Sequence, residues 1–494
     1  MKIKYTVFVF LVGILNLCSH SQNIDDALRY SKVGLSGTAR YISMGGAFGS
    51  LGGDISSIST NPASAGVFKY SEITITPSFY YSNSKTEFLN NTTNDGEFNF
   101  NLNDIGFVGS IKSQSKDWSA INYAFSYNRL DNYSNRIYVE GVNNNSSISD
   151  YLADQAYGTS LASLDDGTGG SDLVYNAYNA YLIDPVSNES DNIEYKSSYS
   201  SYGETQIHRI ETSGYRNNYS FALATNYMNK LYLGASFNIS SLRYSYKSNF
   251  REYDDNEKIE DFESMRYYDE YETRGNGLSL KIGFIYKLQK WLRIGGAFQT
   301  PITYRLSDNY SSLLESKITV DGKTQDYTSV TSSGYYDYKI NSPLRAMGAL
   351  SIILDKKAIV TAEYEYLDYS LSKITSNNSN DEFSNDNASI KQALKPAHNL
   401  KAGFEYRLGK YSLRTGVAYY DSPYQSNQIN KNAYTIYYNA GLGININYFY
   451  VDFAYSYGIS HYYYYPYQLY DNSAEPYYIQ QNTNKWVTTL GLRF

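Results

Sequence analysis

Residues 275–301, GNGLSLKIGFIYKLQKWLRIGGAFQTP, contain two runs of alternating apolar and polar residues. In the first run one face carries Leu278, Leu280, Ile282, Phe284 and Tyr286, and the other carries Ser279, Lys281 and Gly283. In the second run the two faces are Leu292, Ile294 and Phe298 against Arg293, Gly295 and Gln299. A period of two residues with one apolar face is typical of β-strands, and the short turn between the runs predicts an antiparallel hairpin.

Similar hairpins recur along the chain. The predicted strand pairs are 103–113 with 118–128, 216–227 with 231–246, 275–287 with 291–304, 342–354 with 357–370, 397–408 with 411–421, and 434–446 with 448–460. Single strands at 72–82 and 484–494 bring the total to about 14, an even number as bacterial barrels require. Long polar segments separate the pairs, at 83–102, 129–215, 247–274, 305–341, 371–396, 422–433 and 461–483. Short turns at one end and long loops at the other predict an all-β transmembrane barrel.

The composition agrees with a barrel in the outer membrane. Tyrosine accounts for 58 of 494 residues and aromatic residues for 17% of the chain, yet the mean hydropathy is −0.49. Aromatic girdles, an apolar outer face and a polar lumen average to such values. The formal net charge of −7 argues against nucleic acid as a partner, because its recognition needs basic patches.

Both ends of the chain carry export features. Residues 1–21 combine Lys2 and Lys4 with a short apolar core, which predicts a secretory signal peptide cleaved before Gln22. The only cysteine, Cys18, would leave with it. The last strand alternates up to a terminal Phe494, which resembles the signal read by the barrel-assembly machinery. The alternative is an arbitrary chain end.

The stretch at residues 39–66, ARYISMGGAFGSLGGDISSISTNPASAG, lacks strand alternation. Its many glycines allow tight turns and close backbone approach, and Asn61-Pro62 predicts a turn. A compact segment of small residues could pack inside a narrow space. A flexible linker is an equally good interpretation of the composition alone.

These motifs resemble the N-terminal hatch of the FadL-type (OmpP1/FadL/TodX) outer-membrane transporters. The matching residues are Arg40, Met44, Gly45, Gly46, Ala47, Gly52, Gly53, Asp54, Asn61, Pro62 and Ala63. The resemblance extends along the strand pairs at 275–301, 342–370 and 399–423 and covers most of the mature chain, but only loosely in the loops. It implies uptake of long-chain fatty acids or other hydrophobic compounds across the outer membrane of a Gram-negative bacterium. It also implies a hatch that shifts and lateral exit through the wall near the third strand, although residues 118–128 lack a Gly or Pro that would break that strand.

The sequence shows no arrangement typical of an enzyme, and no metal or cofactor is expected. The predicted lumen face carries many charges: Lys281, Arg293, Arg345, Glu363, Glu365, Lys401, Glu405, Arg407, Arg414 and Arg493. The structural interpretation is a lattice of ion pairs around the hatch, because buried charges are costly unless paired. The functional interpretation is that one cation contacts a carboxylate head group, for which the candidates are Arg293, Arg345, Arg407 and Arg414.

The long loops allow two further hypotheses. The acidic stretch 247–273 is expected to be a solvated loop, with divalent bridging to lipopolysaccharide as the less favoured alternative. Short helices are predicted at 148–157 and 173–183, where apolar residues could form a capture groove or pack on themselves. The groove candidates are Tyr151, Leu152, Ala156, Val174, Tyr175, Ala177, Tyr178 and Tyr181.

The sequence therefore predicts a signal peptide at 1–21, a hatch at 22–71 and a barrel at 72–494. The predicted function is passive uptake of a hydrophobic small molecule, with outer-membrane lipid and lipopolysaccharide as the surroundings. The competing hypothesis is a structural or adhesive surface barrel whose tyrosine-rich loops bind a partner.

Overall fold

The computed structural model describes residues 22–115, 117–199, 201–255, 258–320, 322–329, 331–355, 357–376, 383–471 and 473–494. The predicted signal peptide lies outside these described residues. Within them, fourteen strands form the wall of a barrel. They are β1 (Glu72–Phe88), β2 (Asn91–Lys112), β3 (Trp118–Asn132), β4 (Glu204–Tyr227), β5 (Leu231–Tyr253), β6 (Phe262–Lys287), β7 (Leu292–Gln299), β8 (Arg345–Leu354), β9 (Ala358–Asp368), β10 (Pro396–Leu408), β11 (Tyr411–Tyr420), β12 (Thr435–Ile446), β13 (Phe449–Tyr464) and β14 (Tyr477–Arg493).

The barrel closes because its last strand pairs with its first. β14 is antiparallel to β1, with Leu492 opposite Ile73 and Trp486 opposite Phe79. Phe494 follows at the end with the short turns, where it exchanges two backbone hydrogen bonds with Ser71, of 2.9 and 3.1 Å. A closed antiparallel sheet leaves no unpaired edge. The predicted barrel of about 14 strands is confirmed.

The two faces of the wall differ as the alternation predicts. On β6, Leu278, Leu280 and Ile282 are each more than half exposed, whereas Ser279 and Lys281 between them are buried. The same contrast holds on the other strands, where apolar side chains cover the outer face and polar ones line the inner face. The outer face is therefore an apolar belt suited to lipid.

Several segments predicted as loops are sheet instead. The segment 83–102 is wrong as a loop, because β1 and β2 continue to a two-residue turn at Leu89 and Asn90, whose φ angles are 46° and 65°. The acidic stretch 247–273 is also largely strand, since β5 extends to Tyr253 and β6 begins at Phe262. Beyond the apolar belt both faces of a strand can be polar, so the hydrophobic alternation that marks a strand is lost there.

Further strands lengthen the wall at the end with the long loops. They are Asn135–Asn143, Thr303–Val320, Lys323–Thr328, Ser332–Asn341 and Lys373–Ser376, and a separate hairpin pairs Ile183–Pro185 with Tyr195–Ser197. The stretch Asn135–Asn143, within the predicted loop 129–215, is a strand, so the loop prediction is wrong there. It pairs with β4 as a continuation of the wall and does not change the number of strands around the barrel.

Two helices precede β1 in the chain, and the other helices belong to the long loops. They are α1 (Gln22–Arg29), α2 (Ala39–Ser43), α3 (Ile148–Ala156), α4 (Leu161–Asp165), α5 (Asp172–Asn179) and α6 (Ser384–Ala393), with 3-10 turns at Ser56–Ser59, Pro62–Val67 and Tyr369–Leu371. The two short helices predicted in the second long loop are confirmed as α3 and α5, although α5 ends at Asn179 and not at residue 183. Among the described residues, no helix has the length and apolar character needed to cross a membrane.

Candidate functional site

The N-terminal segment, defined as residues 22–71, contacts wall strands on opposite sides of the barrel. The Ala39 amide donates to Thr489 of β14 at 2.7 Å, and the Gly49 amide donates to Glu363 of β9 at 2.9 Å. On another side, the side-chain amide of Asn122 on β3 donates to the Ala65 carbonyl at 2.6 Å. Residues 41–52 of the segment are all buried.

The first glycine pair of the motif is required by both conformation and space. Gly45 and Gly46 have φ angles of 63° and 74°, in the left-handed region that other residues rarely adopt. A side chain at Gly45 would also lie 2.6 Å from the Val417 carbonyl oxygen of β11. Ala47 accepts a hydrogen bond of 2.7 Å on its carbonyl from Thr361 of β9. This part of the segment lies directly against the wall.

Asp54 organises the second glycine pair. Its carboxylate accepts hydrogen bonds of 2.9 Å from the Thr38 hydroxyl and 3.0 Å from the Ser56 amide. Gly52 and Gly53 have φ angles of 64° and 68°, and the Gly53 carbonyl accepts from Arg40 at 3.0 Å. The Gly-Gly-Asp motif is therefore a turn held by residues that precede it.

The Asn-Pro-Ala motif joins the segment to the wall. The Asn61 Oδ1 atom accepts from the Ala63 amide at 3.0 Å, and its Nδ2 atom donates to the Gly49 and Phe284 carbonyls at 2.7 and 3.0 Å. The facing wall residue is Gly283, where a side chain would lie only 2.0 Å from Asn61 Oδ1. The inner face of β6 is thus shaped to admit this asparagine.

A buried ion network ties helix α2 to the wall. Glu405 of β10 accepts from Arg40 at 2.8 Å and from Arg414 at 2.7 Å, and Arg414 also reaches Asp452 at 2.6 Å. Arg407 pairs with the same glutamate at 2.7 Å. Nearby carboxylates therefore already neutralise two of the four predicted head-group contacts, Arg407 and Arg414.

The other two predicted contacts differ from each other. Arg345 pairs with Glu365, as Lys401 does at 3.6 Å. Arg293 instead donates to the Leu51 carbonyl at 2.8 Å, and no ion pair of Arg293 lies among the described residues. Its Nε atom is buried there without a hydrogen-bond partner. Of the four candidates, Arg293 is the one whose charge no described carboxylate neutralises.

Three further lumen cations were not among the candidates. Lys281 donates to the Ser59 carbonyl, and Lys485 donates to the Leu35 carbonyl at 3.0 Å, neither with an ion pair among the described residues. Arg216 donates to the Tyr30 carbonyl at 2.5 Å and to Asp131 at 2.7 Å. Strand alternation places these residues on the inner face. It does not reveal their partners, most of which are backbone carbonyls of the N-terminal segment.

A small polar cavity lies between the N-terminal segment and the wall. Serine and asparagine side chains line it together with four cations, Arg216, Lys281, Arg345 and Lys401. Its open space is about 50 Å³, which is enough for a few water molecules and too little for a transported molecule.

The wall itself has a break between β2 and β3. Their ladder ends at the pair Asp104 and Asn128. Beyond it β2 stays paired with β1, and contacts across the break are made by side chains, such as Asn99 to Ser134 at 3.2 Å. The N-terminal segment lies behind the break, where the Ser36 hydroxyl donates to Asn103 at 2.9 Å.

The second long loop forms a cap, defined here as residues 144–199 and 201–203. Four of the predicted groove residues, Leu152, Ala156, Val174 and Ala177, are fully buried in one cluster with residues of β5 and β6 such as Phe250 and Phe262. Tyr181 remains exposed. Of the two hypotheses for these helices, the packing favours the self-packed cap.

Comparison with known proteins agrees with this architecture. The family model described as outer membrane protein transport protein (OMPP1/FadL/TodX) matches residues 229–490, which is more than half of the chain. The crystal structure of a Pseudomonas aeruginosa FadL homologue aligns with a TM-score of 0.58 at 10% identity, covering 94% of this chain and 99% of that one. The P. putida toluene transporter TodX aligns with a TM-score of 0.50 at 10% identity, covering 93% and 99%. A sequence search of curated proteins found no match.

Proposed function

This chain belongs to the outer membrane protein transport family (OMPP1/FadL/TodX), and from that membership we propose a specific mode of uptake. The protein carries long-chain fatty acids or other hydrophobic small molecules passively inward across the outer membrane of a Gram-negative bacterium. The N-terminal segment is the hatch. One observation carries this proposal: the cavity between the segment and the wall has only about 50 Å³ of open space, so passage at this level requires the hatch to shift.

The contacts of the hatch suggest how it is held. Asn61 is the latch, because its side chain bonds the hatch to itself at Gly49 and to the wall at Phe284. Arg293 is the favoured contact for a carboxylate head group, since it lacks a carboxylate partner among the described residues and faces the hatch at Leu51. Movement of the hatch would expose that guanidinium group.

The proposed exit is lateral, through the break between β2 and β3. Two observations support it. The ladder there is replaced by side-chain contacts beyond Asp104, and β3 is also irregular against β4, with register shifts beside Trp118 and Arg129. The hatch residues Ser36 and Gly37 cover the break from inside, so a shift of the hatch would uncover it.

A disulfide lock tests whether the hatch must move. The hydroxyl oxygens of Ser50 in the hatch and Ser351 in β8 are 2.6 Å apart, so Ser50→Cys/Ser351→Cys places two thiols within bonding reach. Cys18 is the only natural cysteine and lies in the predicted signal peptide, so the exported design carries no competing thiol. The oxidised variant is expected to lose uptake of labelled oleate and toluene, and dithiothreitol is expected to restore it.

The matched control keeps the lock within the wall. Leu350 of β8 and Ala362 of β9 are directly opposite each other on the outer face, so Leu350→Cys/Ala362→Cys joins neighbouring strands without touching the hatch. This control is expected to transport equally well when oxidised or reduced. Undiminished uptake by the locked hatch would refute gating. No uptake even by the unaltered chain would favour the adhesive barrel, for which exposed Tyr157, Tyr335 and Tyr470 at the extracellular end would be the binding surface.

A further inference from the structure

The outer face of the barrel carries a row of cations just above the apolar belt. On β6 the belt ends at Leu278, and the next outward residue is Asn276. The neighbouring strand, Thr303–Val320, places Arg305 opposite Asn276. Arg305 is exposed, whereas Tyr304 and Leu306 on either side are buried, so Arg305 points outward at the extracellular edge of the belt.

Two more cations extend this row over the next strands. Lys339 lies directly opposite Arg305. Lys373 lies on the following strand, opposite Asn341, which is two residues beyond Lys339 on the same face. We name Arg305, Lys339 and Lys373 the boundary cluster. It presents three positive charges at the level where lipid head groups begin.

The cluster lacks an internal counterion. None of its members forms an ion pair with a carboxylate among the described residues. The nearest acid on the same strand, Asp337, accepts hydrogen bonds from Ser307 and Tyr335 instead, at 2.5 and 2.6 Å. Like charges directly opposite each other in a sheet are destabilising. An external anion bound between Arg305 and Lys339 would relieve this repulsion.

A neighbouring pair shows how the chain treats the same problem elsewhere. Arg243 and Arg274 are also directly opposite each other, one row farther from the belt. Glu272 pairs with both of them, with a distance of 2.9 Å to Arg243. The arginine pair is thus neutralised by a carboxylate of the protein, whereas the boundary cluster has no carboxylate partner among the described residues.

An apolar groove lies lower on the belt, on β5, β6 and β7, beside the strands of the cluster. Leu233, Ile282, Phe284 and Phe298 form its sides, and the small residues Ala235 and Gly296 leave it concave. Ile282 is six residues from Asn276 along β6, about 20 Å of strand. With the usual tilt this corresponds to about 15 Å of depth, the thickness of one hydrocarbon leaflet.

We propose that the boundary cluster and this groove form a binding site for one phosphorylated lipid of the outer leaflet, with the lipid A part of lipopolysaccharide as the occupant. Arg305 offers a planar fork that suits phosphate oxygens, and the two lysines add charge. The acyl chains run down the apolar belt from Leu278, and their ends reach the groove at Ile282. The site is on the outside of the barrel and does not depend on transport.

Binding of diphosphorylated lipid A to the purified full chain in neutral detergent tests the proposal. The variant Arg305→Gln/Lys339→Gln/Lys373→Gln is expected to bind at least about tenfold more weakly than the unaltered chain, because charge-assisted contacts to phosphate are lost. The matched control Lys247→Gln/Arg251→Gln/Lys317→Gln removes three charges from the same outer face farther from the belt and is expected to bind normally. Heat-modifiable migration on gels verifies that each barrel is folded.

Two other probes separate the sources of the anion. Lipid A without phosphates is expected to bind as weakly to the unaltered chain as the phosphorylated form binds to the cluster variant. Inorganic phosphate alone is expected to compete only at far higher concentration. Equal binding of the phosphate-free lipid, equal loss in both triple variants, or tight binding of free phosphate would each overturn the proposed lipid site.

Discussion

The Nδ2 atom of Asn61 lies 3.0 Å from the carbonyl oxygen of Phe284, which links the hatch to wall strand β6 close to its last residue, Lys287. The variant Asn61→Asp keeps the acceptor for the Ala63 amide and removes both donated bonds. It should loosen the hatch by about 1–3 kcal/mol, the cost of leaving buried partners unsatisfied. Hydrogen exchange is expected to rise in residues 44–66 and to stay unchanged in the wall.

The control for this variant is Asn439→Asp. Asn439 is also buried and donates to two backbone carbonyls, those of Gly416 and Tyr437, both within the wall. It should leave exchange in the hatch unchanged. A hatch as protected in Asn61→Asp as in the unaltered chain would show that Asn61 is not the latch.

Gly283 tests the latch from the side of the wall. In Gly283→Ala the new methyl group would lie 2.0 Å from Asn61 Oδ1, so the asparagine must move while the outer face of β6 is untouched. We expect a folded barrel with increased hydrogen exchange at residues 60–66. Gly348→Ala on β8 is the control, because its methyl group would meet no atom within 4 Å. Equal exchange in both alanine variants would contradict this account of the hatch contact.

The ion network around Glu405 should contribute most of the stability of the contact between helix α2 and the barrel wall. Glu405 is fully buried and pairs with Arg40, Arg407 and Arg414. Glu405→Gln leaves the largely buried guanidinium of Arg40 without its carboxylate partner, so we expect a loss of about 3–5 kcal/mol in denaturant unfolding. Glu272→Gln, which neutralises a carboxylate on the outer surface, should cost less than about 1 kcal/mol. Similar costs for the two variants would contradict the central role of the buried network.

Two buried glutamates beneath the cap should make it sensitive to pH. Glu252 accepts hydrogen bonds on both oxygens, from Ser147 at 2.6 Å and the Ile148 amide at 3.0 Å among others. Gln206 bridges it to Glu204. Glu204 lies at the extracellular end of β4, outside the apolar belt. Burial, followed by the Glu252 carboxylate, raises the pKa of Glu204.

Since the folded cap holds this proton more tightly than the unfolded chain does, its contribution is fully present below the ordinary glutamate pKa. It is lost as the pH rises through the raised pKa. Limited proteolysis of the cap should therefore become faster at alkaline pH. Glu204→Gln should flatten this dependence, whereas Glu194→Gln, at an exposed position in the cap, should keep it. An unchanged pH profile in Glu204→Gln would refute the assignment.

The sequence reveals the barrel where one strand face meets lipid. Leu278 to Tyr286 alternate plainly, and such runs predict the strand number. Above the belt the alternation disappears, as at Lys247 and Glu270, which lie on neighbouring strands although their stretch appears to be a loop. Water on the outside and polar residues inside impose no hydrophobic period there.

The contacts of the candidate site are less predictable from the sequence than the strands of the barrel. The motif residues around Asn61 stand out by composition and resemblance, but the partner of Asn61 is a backbone carbonyl, which leaves no trace in the side-chain pattern. Likewise, Arg345 and Arg293 are equivalent inward arginines in the sequence. Only the fold reveals that Glu365 neutralises one and that the other faces Leu51.

A staple across the wall break would test lateral exit separately from hatch movement. Asn99 of β2 and Ser134, just beyond β3, touch at 3.2 Å across the break, so Asn99→Cys/Ser134→Cys should form a disulfide. If substrate leaves through this break, oxidation should reduce uptake of labelled oleate several-fold, because the two edges can no longer separate. The hatch contacts are untouched, so hydrogen exchange of residues 44–66 should not change.

The control staple joins the same two strands where their ladder is intact. Ile105 and Tyr127 are directly opposite each other and point outward, so Ile105→Cys/Tyr127→Cys should not affect uptake when oxidised. Equal uptake by both oxidised variants would place the exit elsewhere while leaving hatch gating in force. Equal loss would show that the wall must flex as a whole, since a staple in an intact ladder closes no opening.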